Sequence, residues 1–140
     1  MANTGKFSIK CVYVLFTPQF PKVNWKSLTM VQGEIPKHQF ILWMAIQERL
    51  ATVDRLEKWG IQVPPDCVLC NTKEMETFTH LFFDCAYARS MWKSLLQCLG
   101  MMRQITTWET EIQWLSSRVK QGKAGTHIIG WLFGACVYHV

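Results

Sequence analysis

Residues 67–85, CVLCNTKEMETFTHLFFDC, decide the fold of this chain. The stretch contains three of the six cysteines and one of the four histidines, at Cys67, Cys70, His80 and Cys85. Two residues separate the first two cysteines, nine separate Cys70 from His80, and four separate His80 from Cys85. Thiolates and imidazoles are the preferred ligands of tetrahedral zinc, and structural sites fill all four positions with protein groups. The spacing therefore predicts a central Cys-Cys-His-Cys zinc knuckle.

The five-residue step from His80 to Cys85 restricts the backbone between them. On a straight helix five steps rotate the chain by about 500°, which leaves the two side chains some 140° apart. Both side chains can reach one ion only if the helix breaks between them. We expect Thr77 to cap a short helix that carries His80, and Asp84 to cap the longer helix that follows.

Charge and hydrogen bonding around the predicted site also follow from its ligands. Three thiolates and one neutral imidazole on a divalent ion give a net charge of about −1, which Lys73 and Arg89 would help to balance. His80 should donate its second ring N–H to an acceptor that the sequence does not identify. The remaining cysteines stand in apolar segments, and we expect them to be buried thiols of the core: Cys11, Cys98 and Cys136.

The composition is that of one ordinary globular domain. The 140 residues are 49% hydrophobic and 18% charged, which is not the composition of a disordered chain. The net charge of +5 permits contact with nucleic acid without demonstrating it. The N-terminus has no small-residue cleavage pattern, and the apolar residues 127–140 fall short of the roughly 20 needed to span a bilayer. We therefore expect an intracellular protein of the nucleus or cytoplasm, without a transmembrane span, whose clustered thiols bind metal rather than form disulfides.

Hydrophobic periodicity predicts a mostly α-helical domain with one short N-terminal strand. The strand is predicted over residues 5–16, where apolar residues alternate before Pro18. The first expected helices cover about residues 23–33, a segment that starts at Pro36, and a segment that Thr52 caps and that ends at Gly60. The next begins at about Cys85 and ends at Gly100. Another starts with a Thr106 and Glu109 capping box and runs to about Gly122, and the buried apolar C-terminus forms the last. We expect one domain over residues 1–140, with its core at about residues 35–100 and a helical extension over residues 101–140.

Further motifs run along the chain on both sides of the knuckle. They are GKFSIKCVY at residues 5–13, Pro36-Lys37-His38, Phe40 to Trp43, Arg49 to Leu56, Cys67 to Cys70, Glu76-Thr77, His80 to Cys85, and Trp92. With these motifs the chain resembles the zinc-binding domain that follows the reverse transcriptase in plant LINE-type (non-LTR) retroelements. The family has Ser where this chain has Cys11. The resemblance implies zinc as the cofactor and Cys67, Cys70, His80 and Cys85 as its ligands, in agreement with the spacing.

The resemblance also implies an origin in a retroelement polyprotein, downstream of a polymerase. The sequence contains neither a Tyr-x-Asp-Asp-like polymerase motif nor the spaced carboxylates of an RNase H site, so we expect no polymerase or other enzyme activity from this chain. The family context predicts contact with RNA or DNA and no small-molecule substrate. The candidate phosphate contacts are Lys37, Arg49, Arg55, Lys58 and Lys73.

Other functions compete with this interpretation. A zinc deaminase places His-x-Glu before Pro-Cys-x-x-Cys, whereas here the cysteine pair comes first and His80 has no such glutamate. A thioredoxin-like redox pair at Cys67 and Cys70 would leave His80 and Cys85 unexplained. A protein-interaction scaffold and a retroelement remnant without function both stay open, and the sequence does not indicate the oligomeric state.

Overall fold

The structure of the protein is a computed structural model that describes residues 8–18, 21–122 and 124–140. Six α-helices lie within these ranges: α1 (Ile9–Phe16), α2 (Pro36–Ile46), α3 (Val53–Lys58), α4 (Ala86–Cys98), α5 (Trp108–Lys120) and α6 (Ala124–His139). A 3₁₀ turn at Asn24–Ser27 precedes α2, and a π-helical segment at His80–Asp84 precedes α4. The β pairing within the described ranges is one isolated antiparallel bridge between Asp66 and Met75. The prediction of a mostly α-helical domain is confirmed.

The predicted N-terminal strand is wrong for the residues that the structure describes. Ile9–Phe16 form helix α1, and residues 5–7 of the predicted strand lie outside the described ranges. A strand must pair with a neighbour to satisfy its backbone N–H and C=O groups, whereas a helix satisfies them internally. None of the α1 side chains is buried, and Leu15 and Phe16 are 81% and 85% exposed. The alternation of apolar residues in this segment therefore did not indicate the buried face of a strand.

Most of the other predicted helices are present with shifted ends. Pro36 stands in the first turn of α2, as expected from its missing N–H. Gly100 follows α4 with a φ of 69°, the left-handed conformation that favours glycine after a helix. Residues 23–33, predicted as one helix, instead contain the short 3₁₀ turn followed by turns.

The cap of α5 is displaced by one residue from the prediction. The N-cap is Thr107, whose hydroxyl oxygen accepts from the Thr110 N–H at 3.4 Å. The Thr106 N–H donates to the Glu111 carboxylate at 3.4 Å. Glu111 is fully buried. The acidic side chain that binds the start of α5 is therefore the inward-pointing Glu111 and not the predicted Glu109.

The core is built mainly from α2, α4, α5 and α6. Its largest aromatic group surrounds Trp108, whose ring centroid lies 5.3 Å from that of Phe82, 5.5 Å from Phe83 and 5.8 Å from Phe133. Phe133 also contacts Trp92 of α4, with 4.9 Å between centroids. The C-terminal helix is thus buried on one face only: Ile129 and Phe133 lie in the core, whereas Trp131 and Tyr138 stay exposed. Helices α5 and α6 share one core with the segment that contains the cysteines.

Two glycines let α6 approach the segment before α2. A Cβ atom at Gly130 would lie 3.2 Å from a Val31 methyl group, and one at Gly134 would lie 2.0 Å from a Glu34 carboxylate oxygen. Any larger residue at position 134 would therefore displace Glu34 or separate the two segments. No helix in the described part of the chain is both long and apolar enough to cross a membrane.

The cysteines outside the knuckle differ from the expectation in two of three cases. Cys136 is buried, as predicted, and burial raises the pKa of its thiol to about 12. Cys11 and Cys98 are exposed. Both lie on helices, where residues adjacent in sequence point to different faces. Apolar neighbours in the sequence therefore did not indicate that these two thiols are buried.

Candidate metal centre

The two leading cysteines lie on a loop that doubles back on itself. The Cys67 N–H donates to the Glu74 carbonyl at 2.9 Å, and the Glu76 N–H donates to the Pro65 carbonyl at 2.8 Å. These bonds flank the bridge between Asp66 and Met75 and close the loop into a short hairpin. The hairpin holds Cys67 and Cys70 at its turn, as the two-residue spacing of the pair predicted.

His80 is positioned by the cap predicted from the sequence. The Thr77 hydroxyl oxygen accepts from the His80 N–H at 3.1 Å, at the start of a helical turn that continues as the π-helical segment. The Cys85 N–H donates to the His80 carbonyl at 2.7 Å, five residues back. A π-type bond joins residues i and i+5 and so places them about one turn apart. The wider turn brings His80 and Cys85 to one side.

The predicted break is therefore present, but its form differs from the expectation. The segment stays wound through Asp84, and the extended residue is Cys85, with φ −61° and ψ 124°. Cys85 is the N-cap of α4, so the prediction that Asp84 caps this helix is wrong. The Cys85 side chain can turn toward the hairpin because its backbone has left the helical conformation.

The structure brings the four predicted residues into one cluster. The three sulfur atoms and a ring nitrogen of His80 all lie within 4.8 Å of one another: Cys67, Cys70, His80 and Cys85. The Cys70 sulfur is 3.3 Å from His80 Nε2. In a tetrahedral site with zinc–sulfur bonds of about 2.3 Å and zinc–nitrogen bonds of about 2.0 Å, donor atoms are roughly 3.5–3.8 Å apart. The donor types and their separations thus fit a zinc ion with small adjustments of the side chains.

Burial and hydrogen bonding have opposite effects on the leading thiols. Cys67, Cys85 and His80 are buried, and burial raises the pKa of Cys67. The pKa of Cys70 is lowered to about 6, first by hydrogen bonds from Thr72, whose hydroxyl lies 3.0 Å from the sulfur, and to a smaller extent by His80. Of these two thiols, Cys70 more readily presents a thiolate, the form that binds a metal.

The acceptor for the second ring nitrogen of His80 is Glu74. A Glu74 carboxylate oxygen lies 2.9 Å from His80 Nδ1, while Nε2 faces Cys70. A proton held at Nδ1 leaves Nε2 as the lone-pair donor, which is the arrangement of many metal-bound histidines. Sequence reasoning missed Glu74, because only the closing of the hairpin places residue 74 beside residue 80.

The two predicted stabilising cations occupy different positions. Arg89 is on α4, and its Nε donates to the Phe83 carbonyl at 2.9 Å, so it ties the π-helical segment to α4. Lys73 is exposed in the hairpin and has a φ of 55°.

The predicted phosphate contacts are spread over several segments. Lys37 lies on α2, Arg49 follows α2, Arg55 and Lys58 lie on α3, and Lys73 lies in the hairpin. Arg55 binds the Glu48 carbonyl and lies over the Trp59 ring at 5.2 Å, while Lys58 pairs with Asp54 at 3.8 Å. Their role in binding nucleic acid stays a prediction.

Comparison with curated proteins and with solved structures finds no match for this chain. A family model described as zinc-binding in reverse transcriptase matches residues 7–92. The matched region is more than half of the 140-residue chain and includes the whole Cys-Cys-His-Cys cluster. The chain therefore belongs to the family of zinc-binding domains of reverse transcriptases.

Proposed function

We propose that the cluster binds one zinc ion whose role is to hold the fold together. The observation that carries this proposal is the convergence of three sulfur atoms and one imidazole within 4.8 Å, from three separate segments. The hairpin supplies Cys67 and Cys70, the π-helical segment supplies His80, and the start of α4 supplies Cys85. Zinc binding contributes about 10–16 kcal/mol in small zinc domains, enough to fix such a junction. Four protein ligands leave no open position for a substrate, which favours a structural over a catalytic ion.

Native mass spectrometry tests the zinc clamp directly. We expect one zinc per chain in the purified protein and none in Cys85→Ser, with a loss of helical circular dichroism on chelation. Cys98→Ser is the matched control, because Cys98 is exposed and outside the cluster. A metal-free chain that stays folded, with Cys67 and Cys70 oxidised to each other, would contradict the proposal and favour a redox pair.

The zinc-stabilised module is proposed to contact RNA or DNA, as a part derived from a plant LINE-type retroelement polyprotein. Support comes from the family membership and from the net charge of +5. A domain beside a polymerase that carries excess positive charge is suited to hold a template or target strand. Gel-shift titration against RNA and DNA at two salt concentrations tests this. Absence of binding at the lower salt concentration would refute it.

The proposed role does not include polymerase activity. The matched family model describes the zinc-binding part of a reverse transcriptase, and the sequence lacks a Tyr-x-Asp-Asp-like motif. We expect no nucleotide incorporation when the purified chain is added to a primed template.

A protein-interaction scaffold is the second candidate, and α1 is the observation that favours it. This helix is strongly apolar and buries none of its side chains. Exposed apolar surface of this kind marks many interaction sites. Light scattering on the protein and on a Leu15→Ser, Phe16→Ser variant tests the idea, since self-association through α1 should disappear in the variant.

A further inference from the structure

Two adjoining cavities lie along the 3₁₀ turn Asn24–Ser27, and none of their lining residues belongs to the Cys-Cys-His-Cys cluster. The first, the lysine groove, has a volume of about 590 Å³ and is lined by Lys22, Lys26 and Lys120 together with Asn24 and Ser27. The second, the tryptophan cavity, has a volume of about 390 Å³ and is lined by Trp25, Ile46, Trp108 and Ile112 with Glu48 and Glu109. Lys22, Val23 and Asn24 line both, so the two cavities are direct neighbours.

The lysine groove has the charge of an anion site. Its three lysines come from two segments of the chain, before α2 and at the end of α5, and all three are exposed. None of the described residues that line this groove is acidic. Lysines that line one cavity with no carboxylate among them attract phosphate groups.

The tryptophan cavity has a mixed lining. Its apolar part consists of Trp25 and Trp108 with the two isoleucines, and its charged lining residues are Glu48, Glu109 and the shared Lys22. Carboxylates repel phosphate but accept hydrogen bonds from the amino groups of bases. The volume is within the range of about 300–1,000 Å³ typical of small-ligand pockets. The Ser116 hydroxyl, buried in the cavity wall, has no hydrogen-bond partner in the described structure.

We propose that the lysine groove and the tryptophan cavity together bind single-stranded nucleic acid. The phosphates contact the three lysines, and one unpaired base lies in the tryptophan cavity. The inference rests on the proposed contact with RNA or DNA and names the surface that makes it. Charge orients the strand, because three lysines and no carboxylate line the lysine groove, whereas two carboxylates and only one lysine line the tryptophan cavity. A base can enter a cavity only when it is unpaired, which favours a single strand over a duplex.

The lysine groove can be compared with the cations that the sequence predicted as phosphate contacts. Lys58 already pairs with Asp54, and Arg55 is engaged with the Glu48 carbonyl and the Trp59 ring. The lysine groove instead gathers three cations in one cavity. Its residues escaped sequence reasoning because Lys120 is almost one hundred positions from Lys22 and only the packing of α5 on the 3₁₀ turn joins them.

The test compares two variants that lose equal charge from different surfaces. One variant carries Lys22→Gln, Lys26→Gln and Lys120→Gln, and the control carries Lys37→Gln, Arg49→Gln and Lys58→Gln. All six side chains are exposed, so both variants should keep the zinc content and circular dichroism of the wild type. Fluorescence anisotropy with a labelled single strand of about 12 nucleotides, and with its duplex, gives affinity at several salt concentrations.

We expect the groove variant to lose roughly tenfold or more in affinity for the single strand, and the control less than about threefold. The slope of log affinity against log salt should fall by about 2 in the groove variant, since each phosphate contact contributes about 0.7 on single strands. Cross-linking with a 4-thiouridine-substituted RNA should label the peptides that contain Trp25 or Trp108. The wild type should prefer the single strand to the duplex.

Each contrary outcome has a distinct meaning. Equal losses in the two variants, or a larger loss in the control, would overturn this placement while leaving the proposed nucleic-acid contact intact. Cross-links elsewhere, or a preference for the duplex, would overturn the assignment of an unpaired base to the tryptophan cavity. No binding by the wild type at low salt would overturn both the proposed contact and this inference.

Discussion

Glu74 contacts the candidate metal centre although it is not one of the four clustered residues. Its carboxylate lies 2.9 Å from His80 Nδ1 and fixes the ring so that Nε2 faces the sulfur atoms. The Glu74 backbone also contributes, because its carbonyl accepts the Cys67 N–H. One residue therefore contacts both His80 and Cys67, two of the four residues that we propose as zinc ligands.

Replacement of Glu74 by alanine should lower zinc affinity by about 10–100-fold, the usual cost of removing a partner from a metal-bound histidine. The ring would lose its fixed tautomer and orientation. Competition with a chromophoric chelator measures the affinity, and nitrogen chemical shifts of His80 report the tautomer. Glu57→Ala on the exposed side of α3 is the control. Unchanged affinity and an unchanged tautomer in the Glu74 variant would contradict this role.

Glu34 is a second residue whose position the sequence did not reveal. It is 8% exposed, and neither carboxylate oxygen makes a hydrogen bond of ordinary geometry within the described structure. Burial raises its pKa from 4.5 to about 7, against a smaller opposing effect of the Gln39 side chain. Periodicity could not predict this burial, because it depends on the space that Gly134 leaves on α6.

The raised pKa of Glu34 predicts a pH-dependent stability. In the unfolded chain the carboxyl ionises near pH 4.5, whereas in the folded chain it stays protonated up to about pH 7. Its contribution is therefore fully present below pH 4.5, is lost as pH rises to about 7, and amounts to about 3 kcal/mol. Urea unfolding of Glu34→Gln and wild type from pH 5 to 8 measures the difference. The variant should gain stability relative to the wild type as pH rises, and a constant difference would contradict the shift.

Among the elements, the π-helical segment was only partly predicted. The sequence predicted that the helix departs from a straight course here, but not that the departure is a π-helix. The angular argument required a departure from a straight helix between His80 and Cys85, and Thr77 was correctly identified as the cap. The type of departure could not be predicted, since a break and a wider turn satisfy the same angle. The choice is made by packing, because Phe82 and Phe83 of this segment are buried against Trp108 of α5.

Glu111 joins three elements through one buried carboxylate. It accepts from Trp92 Nε1 of α4 at 3.2 Å, from the Thr106 N–H at 3.4 Å, and from the Arg103 guanidinium. Arg103 also lies over the Trp114 ring of α5, 4.0 Å from its centroid. A buried carboxylate thus stabilises the connection between α4 and α5. It occupies position 111, where the periodicity of α5 would favour an apolar residue.

Replacement of Glu111 by alanine should destabilise the protein by about 3–5 kcal/mol, the cost of removing one partner of a buried ion pair. Trp92 Nε1 and the Thr106 N–H would lose their acceptor, and Arg103 would lose its counter-charge. Glu109→Ala, on the exposed side of α5, should cost less than about 1 kcal/mol. Urea unfolding of the zinc-loaded variants measures both. Similar costs for the two changes would show that the buried network adds little.

At the scale of the whole molecule, the family match and the folded core have different extents. The match ends at residue 92, whereas the core continues through α5 and α6 with Leu115, Ile129 and Phe133 buried. Sequence reasoning identified helices α2 to α6 and the four residues of the candidate metal centre, because periodicity and ligand spacing are local. It could not predict which distant segments meet, such as Phe133 between Trp92 and Trp108.

This difference leads to a prediction about truncated chains. A chain ending at Gly100 retains the four clustered residues but loses α5 and α6, and with them large buried side chains worth about 1.5–3 kcal/mol each. Since whole domains are stable by only about 5–15 kcal/mol, the shortened chain should bind zinc without a cooperative unfolding transition. Deletion of residues 1–17 removes α1, which buries no side chain, and should change the free energy of unfolding by less than about 1 kcal/mol. Urea unfolding of the zinc-loaded proteins, followed by circular dichroism, distinguishes the two. A cooperative transition in the chain ending at Gly100 would mean that residues up to 100 form a core without the last two helices.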